Sequence, residues 1–235
     1  MPTPERQREL AEATEPRIQL IAPFFLFPGP DVTEVLLVRH AQVPEASTAE
    51  DASLTDLGRE QAEVLAEYLA ATRIDAVYAS PSNRARETAA AVASRCGLEV
   101  EVLDGLSDVY NNIPRGLTPR EALVVVFGEA EGQRRYDEMV RGGWSLDLFG
   151  SLLESSASLR GRVAESIDRV IAGHRGQRAV VVSHAPPIAA YVGHVLGSPA
   201  DFGFYPRLTS ITSVLARGER RQLNLLNATP HFGAL

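Results

Sequence analysis

The sequence predicts an α/β protein, a three-layer α/β/α sandwich built around a mostly parallel sheet. Three observations carry that reading. Short apolar runs at Val35–Val38, Ala76–Ala79 and Ala179–Val182 have the length and abrupt ends of buried strands. Between them lie longer segments with apolar residues at helical spacing and capping residues at their ends. Strands that alternate with helices in this way call for crossover connections, which lay helices over both faces of a parallel sheet.

The elements follow in order. Residues 1–17 are polar and charged and read as a terminal tail. Ile18–Pro28 is apolar, but it is short and interrupted by prolines, and its upstream flank mixes arginine with glutamate, unlike a signal peptide. A β-arm, a packed lid and a homodimer contact are the uses open to it. Pro28-Gly29-Pro30 breaks the chain, so residues 1–31 are assigned to a tail and arm and 32–235 to a single domain.

Within that domain the strand at Val35–Val38 stops in Arg39-His40. Thr55 caps a helix running to about Ala71, with Ala62, Leu65, Ala66 and Leu69 on one face. After Ala76–Ala79, Ser80-Pro81 opens a helix to about Arg95, closed by Gly97. Glu99–Leu103 reads as a third strand. The stretch 108–150 is irregular, with helices expected near Pro119–Phe127 and Gln133–Val140, and is expected to cover the substrate. A long helix covers Ser155–His174, where Leu159, Val163, Ile167, Val170 and Ile171 recur. Ala179–Val182 then leads through Ser183-His184-Ala185-Pro186 into a helix ending near Leu196. Ser210–Ala216 and Gln222–Leu226 alternate and read as closing strands.

Bulk properties narrow the function. With 45% hydrophobic and 23% charged residues over 235 positions, the chain can bury a core without disulfides or metal. Its single cysteine, Cys96, excludes an internal disulfide, fits a reducing cytoplasmic compartment and reads as packing. No apolar run is long enough to span a bilayer. A formal charge of −7 argues against nucleic-acid and anionic-membrane partners. A phosphate-binding protein of this charge must concentrate its cations locally, so the positions of its arginines are informative.

Two apolar strands end in histidine, at Arg39-His40 and Ser183-His184. Ligands of open α/β sheets bind in the crevice at the carboxyl ends of the strands, so both imidazoles can face one site. A third strand is followed by Ser80-Pro81-Ser82-Asn83-Arg84-Ala85-Arg86-Glu87-Thr88-Ala89, which opens a helix whose free N–H groups suit an anion. Arginine adds planar paired donors for phosphate oxygens. Arg86 reads as a solvated surface charge.

These segments resemble the histidine phosphatase superfamily, of the phosphoglycerate mutase-like fold. Leu37-Val38-Arg39-His40-Ala41 is similar to its Arg-His-Gly signature. Leu54-Thr55-Asp56-Leu57-Gly58 with Gln61-Ala62 is similar to its Leu-Thr-x-x-Gly-x-x-Gln-Ala segment. Ser80 through Ala89 fits its Ser-x-x-x-Arg-Ala-x-x-Thr-Ala helix start, Glu154-Ser155 with Arg162-Val163 its Glu-Ser block, and Val182-Ser183-His184-Ala185 its second-histidine strand. The resemblance implies a metal-independent, cofactor-independent phosphomonoesterase acting on a phosphorylated small molecule. His40 would be the nucleophile, with Arg39, Arg84 and His184 completing the phosphate pocket. An imidazole can attack phosphorus and split one hard displacement into two easier ones, with fixed cations stabilising the equatorial oxygens.

The chain also departs from the family. Asp108 stands where the resemblance implies a glutamate as general acid; Asp104 is the substitute, and a loop-capping role for Asp108 is the other reading. Ala41 and Ala185 replace glycines, and Ala46 replaces an asparagine donor that Gln42, Ser47 or Thr48 would have to supply. Tyr110-Asn111-Asn112-Ile113 replaces a Trp-Glu-Gly segment. Gln42, Ser47, Tyr110, Arg115 and Ala185 are the candidate substrate contacts, with Tyr136, Arg141 and Trp144 as further candidates. No pair of histidines has metal-ligand spacing, and His174, His194 and His231 carry low weight. A phosphoglycerate-type mutase is the runner-up, opposed by the acidic stretch containing Glu45, Glu50 and Asp51. A non-catalytic phosphate-binding or scaffold protein is the alternative of a different class.

Overall fold

The computed structural model describes residues 29–44, 52–109, 117–142 and 145–233. Six strands form one sheet: β1 (Thr33–Arg39), β2 (Ala76–Ala79), β3 (Val100–Val102), β4 (Arg178–Ser183), β5 (Ile211–Arg217) and β6 (Arg220–Ala228), in the order β3-β2-β4-β1-β5-β6. The pairs β3–β2, β2–β4 and β4–β1 are parallel, whereas β1–β5 and β5–β6 are antiparallel. The helices are α1 (Asp56–Ala70), α2 (Asn83–Cys96), α3 (Pro119–Phe127), α4 (Glu129–Val140), α5 (Ser156–Gly173) and α6 (Ala185–Leu196), with short 3₁₀ turns at Asp104–Leu106, Leu146–Leu152 and Pro230–Phe232.

Successive residues of a strand point to opposite faces, and here both faces are apolar. Val35, Leu37 and Val181 pack with Leu159, Val163 and Ile167 of α5 and Ile188 and Tyr191 of α6. Leu36, Val38, Val180 and Val182 turn the other way, against Leu65, Ala66 and Leu69 of α1 and Ala85, Ala89 and Val92 of α2. This is the expected three-layer sandwich. Removing one of these buried side chains, Leu65 for example, would cost about 2–5 kcal/mol. A separate small core joins α3, α4 and the 3₁₀ turn through Leu123, Met139, Phe149 and Leu152, within the stretch expected to cover the substrate.

Element ends moved where local chemistry outweighs periodicity. The third strand is only Val100–Val102. The helix expected from Gln133 begins at Glu129, because Gly128 (φ 81) ends α3 and turns the chain directly into α4. β6 spans Arg220–Ala228 rather than Gln222–Leu226, since pairing with β5 organises the backbone whatever the outer face carries. No helix among the described residues is long and apolar enough to cross a membrane.

Register positions the crevice. Arg39 pairs with Ser183 and Ala79 with Val182, so β1, β4 and β2 end nearly level. The chain stays in hydrogen-bonding contact past those ends, His40 N–H donating to Ser183 O at 3.0 Å and Ser80 N–H to Val182 O at 2.9 Å. His40, His184 and Ser80 therefore emerge side by side.

Candidate active site

His40 is 6% exposed and its ring centroid lies 5.2 Å from that of His184. Its Nδ1 is 2.8 Å from the carbonyl oxygen of Ala41. A carbonyl can only accept, so Nδ1 carries the proton and Nε2 of the neutral ring keeps its lone pair. Burial lowers the His40 pKa to about 3, reinforced by His184 and by the charges of Arg84 and Arg39 and opposed by the Ala41 carbonyl. The ring is thus neutral around pH 7.

The turn carrying His40 is braced from α1 and α2, which explains the Leu-Thr-x-x-Gly-x-x-Gln-Ala pattern physically. Thr55 caps α1 by accepting from Gly58 N–H at 2.9 Å, and its hydroxyl donates to Gln42 Oε1 at 2.7 Å. Gln61 Oε1 accepts from Gln42 N–H at 3.0 Å, and Ala62 packs on Ala41 and Leu54. Thr88 of α2 accepts from Ala41 N–H at 3.0 Å while donating to Arg84 O at 2.7 Å. Gly58 lies so close that a Cβ there would sit 2.1 Å from Gln42 O. Gly58→Ala is therefore expected to displace the His40 turn and cost on the order of 1–3 kcal/mol. Thermal melting alongside kcat checks it, kcat falling more than the melting shift alone would explain.

His184 is 1% exposed and precedes α6. Its Nε2 lies 2.7 Å from Ser80 Oγ, a fully buried hydroxyl, and 3.4 Å from Ser82 Oγ. Its Nδ1 has no hydrogen-bond partner among the described residues, although Asp108 Oδ2 stands 3.5 Å away, within ion-pair range but without hydrogen-bond geometry. Burial, then Arg84, Arg39 and Arg162, hold its pKa well below the ordinary histidine value. Of the first three amides of α6 only Ala185 has an N–H, since Pro186 and Pro187 follow; Ala185 itself is buried.

Arg84, in the first turn of α2, donates to Asp108 Oδ2 at 3.1 Å. Asp108 is held in turn by Arg162 of α5, whose guanidinium donates to the carbonyls of Gly105, Ser107 and Asp108 at 2.8, 2.7 and 3.0 Å. Glu154 orients that guanidinium in a two-pronged pair at 2.7 and 2.6 Å. Asp108 Oδ1 also accepts from Val109 N–H at 2.9 Å, so the loop-capping reading and the site position coexist in one side chain. Asp104 is exposed on the 3₁₀ turn.

Arg39 donates from Nη1 to Pro206 O at 2.8 Å and lies with its Cζ 4.8 Å from the Tyr205 ring centre. Its Nε is buried without a partner among the described residues.

The structure thus gathers His40, His184, Arg84, Asp108 and Ser80 through ring and hydrogen-bond contacts and braces Arg39 at the end of the strand that leads into His40. Gln42 is turned to Thr55, so its carbonyl serves the turn. Ser47, Thr48, Tyr110, Arg115 and Trp144, together with the apolar arm 18–28, lie outside the described residues. Tyr136 belongs to the small core of α3 and α4, and Arg141 pairs with Asp137 at 3.8 Å. Arg86 is exposed, as expected. Ser80, Thr88 and Arg162 lie in motifs that are visible in the sequence, but their roles follow only from these contacts. The Pro206 carbonyl has no side-chain signature to find. No cluster of three or more potential metal ligands occurs among the described residues.

Two buried imidazoles, both held below the ordinary histidine pKa, and two arginines gather beside the carboxyl ends of parallel strands, an arrangement that suits a compact anion. The chain belongs to the histidine phosphatase superfamily, branch 1, whose profile matches residues 35–229. Phosphoserine phosphatase 1 of Hydrogenobacter thermophilus is 31% identical over 209 residues, covering 86% of this chain and 95% of that protein. Phosphoglycerate mutase-like protein 4 of Arabidopsis thaliana is 31% identical over 164 residues, covering 66% and 67%. Among solved structures, a phosphoglycerate mutase from Bacillus anthracis shares the fold with a TM-score of 0.73 at 19% identity, covering 86% of this chain and 96% of that one.

Proposed function

We propose that this protein is a phosphatase that hydrolyses a small phosphomonoester through a phosphohistidine on His40 Nε2. The observation that carries the reading is the Nδ1–H bond from His40 to Ala41 O in a buried neutral ring, which reserves the Nε2 lone pair for attack. Nε2 bonds to phosphorus while the ester P–O bond breaks, and Asp108 gives its proton to the leaving alkoxide. Water then attacks the phosphohistidine, its proton passes to Asp108, the P–N bond breaks and phosphate leaves. Arg84, Arg39 and His184 hold the equatorial oxygens throughout. Phosphate in the crevice would give Arg39 Nε and His184 Nδ1 acceptors that none of the described residues provides.

Ser80 assigns the His184 proton in this scheme. If its hydroxyl donates to Nε2, Nδ1 carries the hydrogen toward Asp108 and the anion, and the opposite tautomer would turn a lone pair on them. The substrate is a phosphorylated small molecule. Phosphoserine is the first to test, given the relative of that name that aligns over 95% of its length. The test is phosphate release across phosphoserine, phosphoglycerates, sugar phosphates and an aryl phosphate. Release that disappears with His40→Ala supports the reading. Interconversion of phosphoglycerates faster than release would replace it with the mutase, and no turnover across the panel would leave the non-catalytic binder.

Residues 32–235 form one catalytic domain in this reading, and the lone Cys96 supports a cytoplasmic setting. A homodimer through the apolar arm 18–28 is the assembly to check by light scattering, where a monomer before and after deleting the arm rejects it.

A further inference from the structure

Only two non-glycine residues among those described have a positive φ, Thr209 (φ 55) and Asn227 (φ 52), and both stand behind Arg39. Such conformations cost about 1–3 kcal/mol and persist where the surroundings enforce them. Thr209 donates its N–H to Arg39 O at 3.0 Å. Its hydroxyl donates to Leu208 O at 2.8 Å and so accepts from His231 Nε2 at 3.0 Å. Asn227 sits at a bulge where the β5–β6 register shifts from Ile211↔Ala228 to Ser213↔Leu225. Its N–H donates to Thr212 Oγ1 at 3.0 Å. Its side chain then reaches both ends of Tyr205-Pro206-Arg207, Oδ1 accepting from Arg207 N–H at 2.7 Å and Nδ2 donating to Tyr205 O at 3.0 Å. The middle residue of that tripeptide holds the Arg39 guanidinium by its carbonyl, and the first lays its ring beside it.

We infer that Asn227 is a positioning residue for phosphate binding, acting through the 205–207 strap to fix the Arg39 guanidinium. The inference rests on the phosphatase reading, in which Arg39 binds the phosphoryl group. Glycine would adopt this φ without strain; asparagine tolerates it and adds the two hydrogen bonds that the strap uses. With the strap loosened, the guanidinium samples several positions, and the phosphate must order it on binding.

Asn227→Gly keeps the backbone conformation and removes both bonds. The binding of inorganic phosphate, measured by calorimetry, is expected to weaken about three- to tenfold, a loss of about 0.7–1.4 kcal/mol. KM should rise with it, and the melting temperature should move by only a few degrees. In an Arg39→Met background the same change is expected to have no further effect on phosphate binding, because the strap then has no guanidinium to place. Asn227→Asp, which keeps the acceptor for Arg207 but not the donor to Tyr205, should fall between the two and serves if the glycine variant folds poorly. Unchanged phosphate affinity in Asn227→Gly, or an equal loss with and without Arg39, overturns the inference. Wild-type protein that binds no phosphate and leaves His40 unlabelled by substrate overturns the phosphatase reading instead, and the two failures are distinguishable.

Discussion

His40→Ala is expected to reduce phosphate release by on the order of 10⁴–10⁶-fold while leaving the protein folded. The magnitude is that of deleting a nucleophile whose partners cannot act without it. Alanine leaves Arg84, Arg39 and His184 in place, so phosphate should still bind, and calorimetry beside turnover separates the two effects. Folding should tolerate the change, because a buried polar ring at a depressed pKa is itself a liability in acid. The sign follows from its protonation. The unfolded imidazole binds a proton below about pH 6.5, but the folded one only near pH 3. Between those values the unfolded state binds more protons, so stability due to His40 is present above pH 6.5 and is lost as pH falls toward 3. Wild type is therefore expected to lose more stability than His40→Ala on acidification through that window, as read by denaturant melts at pH 7 and pH 4.5. An equal loss in both proteins would mean that His40 is not held neutral. The same depressed value predicts that protonation of His40 does not set an acid limb near pH 6.5 in the kcat/KM profile.

The second large effect is expected at Arg84. Arg84→Met keeps the apolar stem but removes the paired donors that would face the transferring phosphoryl group, and kcat should fall about 10²–10³-fold. Arg84→Lys should recover little of it, since an ammonium offers a point charge in place of a planar fork. The partner carboxylate of Asp108 is 39% exposed, so loss of the cation leaves it in contact with water and stability should change little. Single-turnover kinetics check the assignment: formation of the phosphoenzyme should slow, and not only its release. A variant that binds phosphate weakly yet transfers it at the wild-type rate would assign Arg84 to ground-state binding alone.

How far the site can be read from the chain depends on what carries each contact. His40 and His184 are legible because each follows a short apolar run, and parallel pairing levels the ends of such runs. Arg84 is legible because a helix start after a third run is a natural anion site. The bracing of the His40 turn is half legible: Thr55, Gly58 and Gln61 are visible as a pattern, but only the approach of Gln42 O explains why Gly58 cannot carry a Cβ. Asp108 is legible by position, whereas its clamp is not, because Arg162 grips backbone carbonyls that any residues could provide. The brace on Arg39 is hidden for the same reason, since Pro206 contributes a carbonyl from 167 residues away. Asn227 carries no signal in the sequence and His231 carries low weight there; the β5–β6 bulge and the strap give Asn227 its contacts, and Thr209 gives His231 its own.

The central claim is tested most directly by trapping the intermediate. Wild-type protein mixed with a turned-over phosphomonoester and quenched in alkali, where the P–N bond survives, should carry one phosphoryl group. Peptide mass spectrometry should place it on His40, and phosphorus–proton NMR on its Nε2. A label on Nδ1, on His184 or on any other residue would contradict the account, as would steady turnover with no label at His40.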